Sequence, residues 1–129
     1  MSDGKRLKKL AIISKVPGPI DVPKEFTDET IRIINRIELH SNVIGVLYIK
    51  DNMLGMSSIP KGQEMVLVNR LPPFNQLLRN ALVELDMDDF IAYRIVTTST
   101  ELLVAGDTDF SVCVYQTHRN NKKRQSRKQ

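Results

Sequence analysis

The stretch ELLVAGDTDFSVCVYQ, Glu101 to Gln116, decides the fold that we predict for this chain. It contains two runs rich in aliphatic, β-branched and aromatic residues. Residues 106–109 join these runs with Gly, Asp and Thr, which supply the chemistry of a tight turn. The stretch therefore predicts a β-hairpin.

The second run of this hairpin is apolar on both faces. Because side chains alternate along a strand, Val112 and Val114 share one face while Cys113 and Tyr115 share the other. A strand of this kind needs cover on both faces, so we expect it to lie centrally in a sheet that carries helices on each side.

Length and cysteine content bound the class of protein. At 129 residues the chain is long enough for one domain with its own core. Its single cysteine, Cys113, cannot form an intramolecular disulfide and lies in a predicted strand, so we expect a core thiol in a reducing compartment. No apolar run approaches the roughly 20 residues that span a bilayer, and the N terminus lacks a secretory signal pattern. We expect a soluble, cytosolic protein with no membrane insertion.

The formal charge of +4 is distributed unevenly along the chain. Residues 1–20 contain five Lys/Arg and one Asp, and residues 117–129 contain six Lys/Arg and no acid. Residues 21–116 contain eight basic and fourteen acidic residues. Nucleic-acid-binding domains carry their basic residues on a structured face, so an acidic body argues against a nucleic-acid-binding fold.

The two basic ends are predicted to lie outside the domain. We expect a basic, proline-containing extension over residues 1–26, a domain over residues 27–116, and a disordered basic tail over residues 117–129, which has no apolar residue able to pack. The tail is either a solvated terminus or a contact for an acidic partner such as RNA or a tubulin surface.

A helix and a second hairpin are predicted in the first half of the domain. Thr27 is typical of an N-cap, and the helix is expected to end near His40. Val43–Ile49 and Met53–Ile59 then predict a hairpin at the edge of the sheet. The apolar stripe of the helix contains Phe26, Thr30, Ile33, Ile34 and Ile37.

The segment from Glu64 to Leu85 predicts a helix with an interruption. Pro72 and Pro73 each lack a backbone N–H and clash with the preceding turn, so we expect a short helical piece, a kink or break at Leu71, and a helix restarted with proline in its first turn. The helical spacing of the second half is carried by Phe74, Leu77, Leu78, Ala81, Leu82 and Leu85.

A strand over Phe90–Thr97 follows, and the hairpin that begins at Glu101 completes the domain. The element order is α-β-β-α-β-β-β. This order predicts an α+β fold with a single five-stranded, mostly antiparallel sheet and helices on both faces.

The sequence DDFIAYRIVTTSTELLVAGDTDFSVCVYQ, from Asp88 to Gln116, resembles the C-terminal half of the roadblock-type dynein light chains. Upstream, NVIGVLYIKDNMLGMSS resembles the first hairpin of that family, with Gly45 on its glycine. The family positions that the C-terminal half matches without a gap are Arg94, Ile95, Glu101, Val104, Ala105, Asp107, Asp109, Phe110 and Gln116.

Three features depart from the family pattern. Met53 stands where the family usually has a glycine in the first hairpin turn, and Gly106 stands where it has a proline. The second helix of the family runs unbroken, whereas this one contains Pro72 and Pro73. Because that helix is the dimerisation element of the family, the proline pair bears on the geometry of the dimer.

The resemblance implies a non-catalytic subunit without a cofactor. It implies a homodimer formed through the second helix and the following strand, which docks a helical segment of a dynein intermediate chain, in the cytoplasm or at a cilium. A second reading within the same fold is a scaffold or regulator of a small Ras-like GTPase. The expected interface residues are Met65, Val68, Leu78, Leu82, Ile91, Tyr93, Ile95 and Thr97, and the structural family positions are Gly45, Arg94, Glu101, Asp107 and Asp109.

The sequence lacks the residue patterns for metal binding, cysteine catalysis and nucleotide binding. His40 and His118 are not expected near Cys113, so neither a metal ligand set nor a cysteine nucleophile is predicted. The glycines spell neither a P-loop nor a dinucleotide fingerprint.

The acidic residues have structural explanations. Residues 86–89 are predicted to be a solvated link because they lack the spacing of a calcium loop. Asp107 and Asp109, which could be paired catalytic carboxylates, are expected to cap their own turn. Arg94 and Glu101 lie on neighbouring strands and are expected to form a structural ion pair.

Overall fold

The structure, a computed structural model, describes residues 10–106 and 109–118. The expectations for residues 1–9, for Asp107 and for most of the basic tail lie outside the described residues. The helices are α1 (Asp28–Glu38) and α2 (Glu64–Glu84), and the strands are β1 (Val43–Lys50), β2 (Met53–Ser57), β3 (Ala92–Val96), β4 (Thr100–Gly106) and β5 (Phe110–Thr117).

The five strands form one antiparallel sheet in the order β2-β1-β5-β4-β3. Strand β5, the second run of the hairpin quoted above, lies at the centre between β1 and β4, as its two apolar faces predicted. Strands β2 and β3 form the two edges. The predicted α+β fold and the predicted element order are confirmed.

Alternate residues of the central strands supply two separate apolar layers. Val46 of β1 and Val112 of β5 pack with α1 on one face. Leu47 of β1 and Cys113 of β5 pack with α2 on the other. Full burial of one large aliphatic side chain stabilises the folded state by about 1.5–3 kcal/mol. Covering each face of the sheet with a helix is therefore favourable.

Helix α1 begins as predicted, with the Thr27 side chain accepting a hydrogen bond from the backbone N–H three residues on. It ends at Glu38, two residues earlier than predicted. The buried residues are Ile31, Ile34 and Glu38, a spacing that aims one side of the helix at the sheet. Ile33, which the predicted stripe included, is 47% exposed because it lies one step around the helix from this contact.

Glu38 is buried without a full set of hydrogen bonds. The Ser58 hydroxyl donates to its Oε2, while its Oε1 has no partner among the described residues. The same hydroxyl accepts a hydrogen bond of 2.8 Å from the Val46 N–H. Burial raises the pKa of the Glu38 carboxyl, and the Lys15 ammonium acts in the opposite direction.

Residues 11–13 lie against α1, whereas residues 16–21 line a pocket with β2. Ile12 is buried in the same apolar cluster as the inner face of that helix. The Asn35 side chain accepts a 2.7 Å hydrogen bond from the Ile13 N–H and donates a 3.0 Å hydrogen bond to the Ala11 carbonyl. The described part of the predicted extension therefore contributes to the core.

The turn between β1 and β2 explains why this chain needs no glycine there. Asp51 and Asn52 have φ values of 52° and 63°, and positive φ at both central positions characterises a two-residue hairpin turn. Asp and Asn tolerate this conformation better than most residues. Met53, which stands at the family's glycine position, is already the first residue of β2.

Helix α2 is continuous, so a break at Leu71, one of the two predicted alternatives, is wrong, and the other, a kink at this residue, stays a prediction. Leu71 is 4% exposed and Asn75 is 3% exposed, and these residues bind the helix to the sheet on both sides of the proline pair. Pro73 is exposed and Pro72 partly buried, so the two rings do not displace these contacts. Tertiary packing therefore overrides the local tendency of proline to interrupt a helix.

We expect Glu38→Gln to change how stability depends on pH. Because burial raises the folded-state pKa of Glu38 above its ordinary value of 4.5, the folded state holds this proton more tightly than the unfolded chain does. Its contribution is fully present below the unfolded pKa and is lost as the pH rises through the folded pKa. Urea denaturation across that range should show a decline in unfolding free energy that is smaller in the variant. Equal declines in both proteins would contradict the assignment.

Candidate dimer interface

Strand β3 forms an edge of the sheet. Among the described residues it pairs with β4 alone, from Ala92 opposite Ala105 to Val96 opposite Glu101. The other side of such a strand presents backbone N–H and C=O groups that another chain can pair with. The condition on which the dimer prediction depends, an edge position for this strand, is confirmed.

The predicted interface residues on and beside β3 remain accessible. Ile91 comes immediately before the strand and is 84% exposed. Tyr93 and Ile95 are half-buried on the α2 side of the sheet. Thr97 is exposed just after the strand, and its hydroxyl donates a 2.9 Å hydrogen bond to the Thr100 carbonyl.

The predicted residues on α2 lie at different depths. Met65 is exposed, whereas Leu78 and Leu82 are partly buried. Val68 belongs to the core between the helix and the sheet. Of these four residues, Val68 therefore packs in the core under the candidate interface and is not part of its accessible surface.

Helix α2 exposes apolar side chains beyond those of the predicted interface residues. Val66, Phe74 and Leu77 are exposed, and Leu77 reaches 67%. Their helical spacing was visible in the sequence, but the sequence did not show which side of the helix faces the sheet. An uncovered apolar face of this extent is typical of a protein-binding surface.

An apolar groove connects the start of α2 with the edge of the sheet. It encloses about 350 Å³. Val66 and Leu67 form its helical wall, and Ile95, Leu102 and Tyr115 form its floor. Apolar side chains of a partner could be buried here, directly beside the unpaired edge of β3.

A buried polar network ties α2 to β3 and β5. The Tyr93 hydroxyl donates to Asn75 Oδ1, and Asn75 Nδ2 donates to Ser111 Oγ at 3.3 Å. Burial raises the pKa of Tyr93 to about 12, so its hydroxyl stays protonated and remains a donor. The rings of Phe74 and Phe90 pack against Tyr93, with centroids 5.6 and 5.2 Å away. The two elements of the candidate interface are thus fixed relative to each other.

The link between α2 and β3 is also held in place. Arg79 Nε lies 3.2 Å from Asp89 Oδ1, and its guanidinium carbon lies 4.7 Å from the centroid of the Phe90 ring. Asp86 and Asp88 are exposed, as expected of a solvated link, but Asp89 is ion-paired.

Three of the family positions have a clear structural reason. A Cβ on Gly45 would lie 2.8 Å from both the Ile59 nitrogen and the Ser58 carbonyl oxygen, so the close approach of this backbone requires glycine. The predicted ion pair of Arg94 with Glu101 is confirmed between Nε and Oε2.

The remaining family positions belong to a loop. The Asp109 carbonyl accepts a 2.9 Å hydrogen bond from the Asp51 N–H, which joins the β4–β5 loop to the β1–β2 turn. Asp107 lies outside the described residues.

The remaining reactive groups have structural roles. Cys113 is fully buried, and burial raises the pKa of its thiol to about 12, as expected of a core cysteine. Within residues 10–106 and 109–118, no group of three or more His, Cys, Asp or Glu side chains could hold a metal ion. None of the helices in that part of the chain is long and apolar enough to cross a membrane.

Solved structures share this arrangement of helices and strands. A roadblock/LC7 domain from Streptomyces avermitilis matches with a TM-score of 0.56 and 13% sequence identity, over 64% of this chain and 72% of that one. MglB of Myxococcus xanthus matches with a TM-score of 0.62 and 12% identity, over 81% of this chain and 90% of that one. The chain has the roadblock fold.

The roadblock fold is recognised here from the arrangement of elements in space. By sequence, no protein-family model and no curated protein matches the chain. The fold that the resemblance of residues 88–116 implied is confirmed. At 12–13% sequence identity, these matches establish similarity of fold alone.

We expect Tyr93→Phe to destabilise the protein by about 1–3 kcal/mol, because it leaves the buried Asn75 oxygen without its donor. Urea denaturation would measure the loss. Tyr115→Phe provides a matched control, since within residues 10–106 and 109–118 the Tyr115 hydroxyl makes no hydrogen bond. Equal losses of unfolding free energy in the two variants would mean that the hydrogen bond from Tyr93 to Asn75 does not stabilise the protein.

Proposed function

We propose that this protein is a non-catalytic, homodimeric light chain of a dynein motor complex. The observation that carries the proposal is the unpaired edge of β3 beside the exposed apolar face of α2, in a chain with the roadblock fold. In this proposal the protein needs no cofactor. It acts in the cytoplasm on the microtubule cytoskeleton, or in a cilium.

Pairing between two copies accounts for both features of the surface. If β3 of one copy pairs with β3 of a second copy about a two-fold axis, each satisfies the free backbone groups of the other. The two sheets then form one continuous surface of ten strands. The same operation brings the two α2 helices together and covers Met65, Val66 and Leu77, whose side chains now face solvent.

The proposed partner of the dimer is a helical segment of a dynein intermediate chain. The proposal takes this partner from the resemblance of residues 88–116 to roadblock-type dynein light chains. An amphipathic helix binds by laying its apolar face in an apolar groove. A second groove, of about 400 Å³ between α1 and the sheet, offers such a surface and is lined by Ile33, Ile37 and Phe110 among others.

A roadblock-domain scaffold or regulator of a small Ras-like GTPase is the second candidate function. The roadblock fold is consistent with it. It differs in one measurable respect, because a regulator of a switch must distinguish the GDP form from the GTP form of its partner.

We expect Ile91→Asp to convert a dimer into a folded monomer. Ile91 is 84% exposed, so the substitution removes no core contact, and a carboxylate enclosed at the joined edge would lose its hydration without gaining a partner. Light scattering coupled to size exclusion, over a range of protein concentrations, would measure the molar mass. The matched control is Leu39→Asp, at an apolar residue of similar exposure beyond the end of α1, which should leave the dimer intact. A wild-type protein that stays monomeric at high concentration would overturn the interface.

A binding experiment separates the two candidate functions. Full-length protein is titrated with peptides that cover the helical segments of dynein intermediate chains and, in parallel, with small GTPases loaded with GDP or a GTP analogue. We expect saturable binding of one intermediate-chain peptide and no preference for either nucleotide state. Nucleotide-dependent binding of a GTPase, without binding of any peptide, would favour the second candidate.

A further inference from the structure

We propose that one side of α1, together with the N-terminal segment bound to it, is a docking surface for an anionic phospholipid bilayer. We call this surface the basic face. It lies on the α1 side of the sheet, whereas the candidate dimer interface is formed by β3 and α2. The inference therefore concerns a single copy of the chain and does not depend on the proposed function. The described residues of the basic face are Leu10, Ile13, Lys15, Arg32, Arg36 and Leu39.

A stripe along α1 brings these residues together. Arg32 and Arg36 lie one helical turn apart, and Leu39 lies about one turn further on, so their side chains share one side of the helix. Asn35 lies on the same stripe. Its side chain binds the backbone of residues 11 and 13 through hydrogen bonds of 3.0 and 2.7 Å. The N-terminal segment is therefore held beside the two arginines.

The basic face exposes aliphatic side chains. Leu39 is 71% exposed, Ile13 49% and Leu10 39%. Ile12, by contrast, is 7% exposed and anchors the segment in the core under α1. Exposed aliphatic side chains beside basic ones are typical of segments that lie in the headgroup region of a bilayer. There the aliphatic groups leave water while the basic groups meet the phosphates.

The charge that the basic face presents to solvent is positive. Arg32 and Arg36 are exposed and form no ion pair within residues 10–106 and 109–118. Lys15 is also exposed, and its ammonium donates hydrogen bonds to backbone carbonyls, which carry no net charge. The exposed acids of α1, at positions 28 and 29, lie in the first turn, at the end of the helix away from Lys15. The third acid, Glu38, is buried.

Two strongly basic stretches of sequence adjoin this face. Residues 1–9, which lead into Leu10, contain four Lys/Arg and one Asp. Residues 119–129 contain six Lys/Arg and no acid. The last described strand brings this second stretch to the same end of the fold, because the Thr117 N–H donates a 2.8 Å hydrogen bond to the Asn42 carbonyl in the loop after α1. Both stretches therefore begin beside the second half of α1.

An anionic bilayer fits this surface better than a nucleic acid does. Both attract Lys and Arg. Single-stranded nucleic acids, however, are bound by stacking bases on aromatic side chains, and the described residues of the basic face include none. A run of acidic side chains on a protein would meet the charge but leave the aliphatic side chains in water. A bilayer satisfies both, and a basic patch together with apolar side chains suffices for attachment to its surface without a helix that crosses it.

The first test is sedimentation of full-length protein with phospholipid vesicles. One set contains phosphatidylcholine alone, and the other contains about one third phosphatidylserine. We expect the partition coefficient for the anionic vesicles to be at least about tenfold higher, and to fall as the salt concentration rises above about 0.1 M. Equal binding to both sets, or no binding to the anionic set, would overturn the inference. Tighter binding to a single-stranded RNA or to polyglutamate in the same buffer would also overturn it.

The aliphatic contribution is tested with two residues in equivalent positions. Leu39 is the C-cap of α1 and is 71% exposed, and Leu85 is the C-cap of α2 and is 68% exposed. Both substitutions remove an exposed side chain, so neither removes a core contact. We expect Leu39→Ser to weaken binding to the anionic vesicles at least about threefold and Leu85→Ser to leave it unchanged. Equal effects would mean that Leu39 does not enter the bilayer.

The charge contribution is tested with two pairs of exposed basic residues. Arg32→Gln combined with Arg36→Gln should weaken vesicle binding at least about tenfold. Lys61→Gln combined with Arg70→Gln removes the same charge from the loop before α2 and from α2 itself, and should have a much smaller effect. If both pairs weaken binding equally, the net charge of the protein and not the basic face determines the affinity, which would overturn the assignment.

A further variant separates the basic face from the basic sequence after it. In this variant all six Lys/Arg of residues 119–129 are changed to Gln. We expect weaker but still measurable binding to the anionic vesicles, with a remaining affinity that falls further when Leu39→Ser is added. Complete loss of binding in the six-residue variant, together with wild-type binding of Leu39→Ser alone, would assign the binding to residues 119–129 and overturn the role of the face.

Discussion

The alternation of apolar side chains along β1 and β5 is the constraint on which the rest of the fold depends. Leu47 and Cys113 require cover on one face, and Val46 and Val112 require it on the other. These strands therefore occupy the middle of the sheet, with one helix on each side. Strands β2 and β3 are left at the edges, and β3 is the edge that we propose to pair with a second copy.

The sequence predicted these features because a period of two along a strand depends on local order alone. The hairpin of β4 and β5, the edge position of β2 and the Thr27 cap all follow from neighbouring residues. The break at Leu71 failed for the converse reason. Local rules count the cost of proline in a helix, but they do not include the contacts of Leu71 and Asn75 with a sheet whose central strand begins at residue 110.

The candidate interface was predictable in part. Ile91 and Ile95 could be placed in the candidate interface because they lie on or beside a strand that was expected at the edge of the sheet. The ion pair of Arg94 with Glu101 could be predicted because the two residues lie on neighbouring strands. The exposure of Leu77 could not, because a helix with several apolar stripes does not reveal which one a sheet will cover. The contact of Asn75 with Ser111 joins residues 36 positions apart, and no local pattern signals it.

The attachment of residues 10–26 to α1 has a consequence for the order in which the protein opens. This segment is joined to the helix by Ile12 and by the Asn35 amide, and to the loop after the helix by the Lys15 ammonium, which donates a 2.8 Å hydrogen bond to the His40 carbonyl. It shares no backbone ladder with the sheet among the described residues. Segments with such attachments exchange their amide hydrogens through small local fluctuations, well below the free energy of global unfolding. We therefore expect the amides of residues 10–26 to exchange before those of the central strand β5, which pairs on both sides.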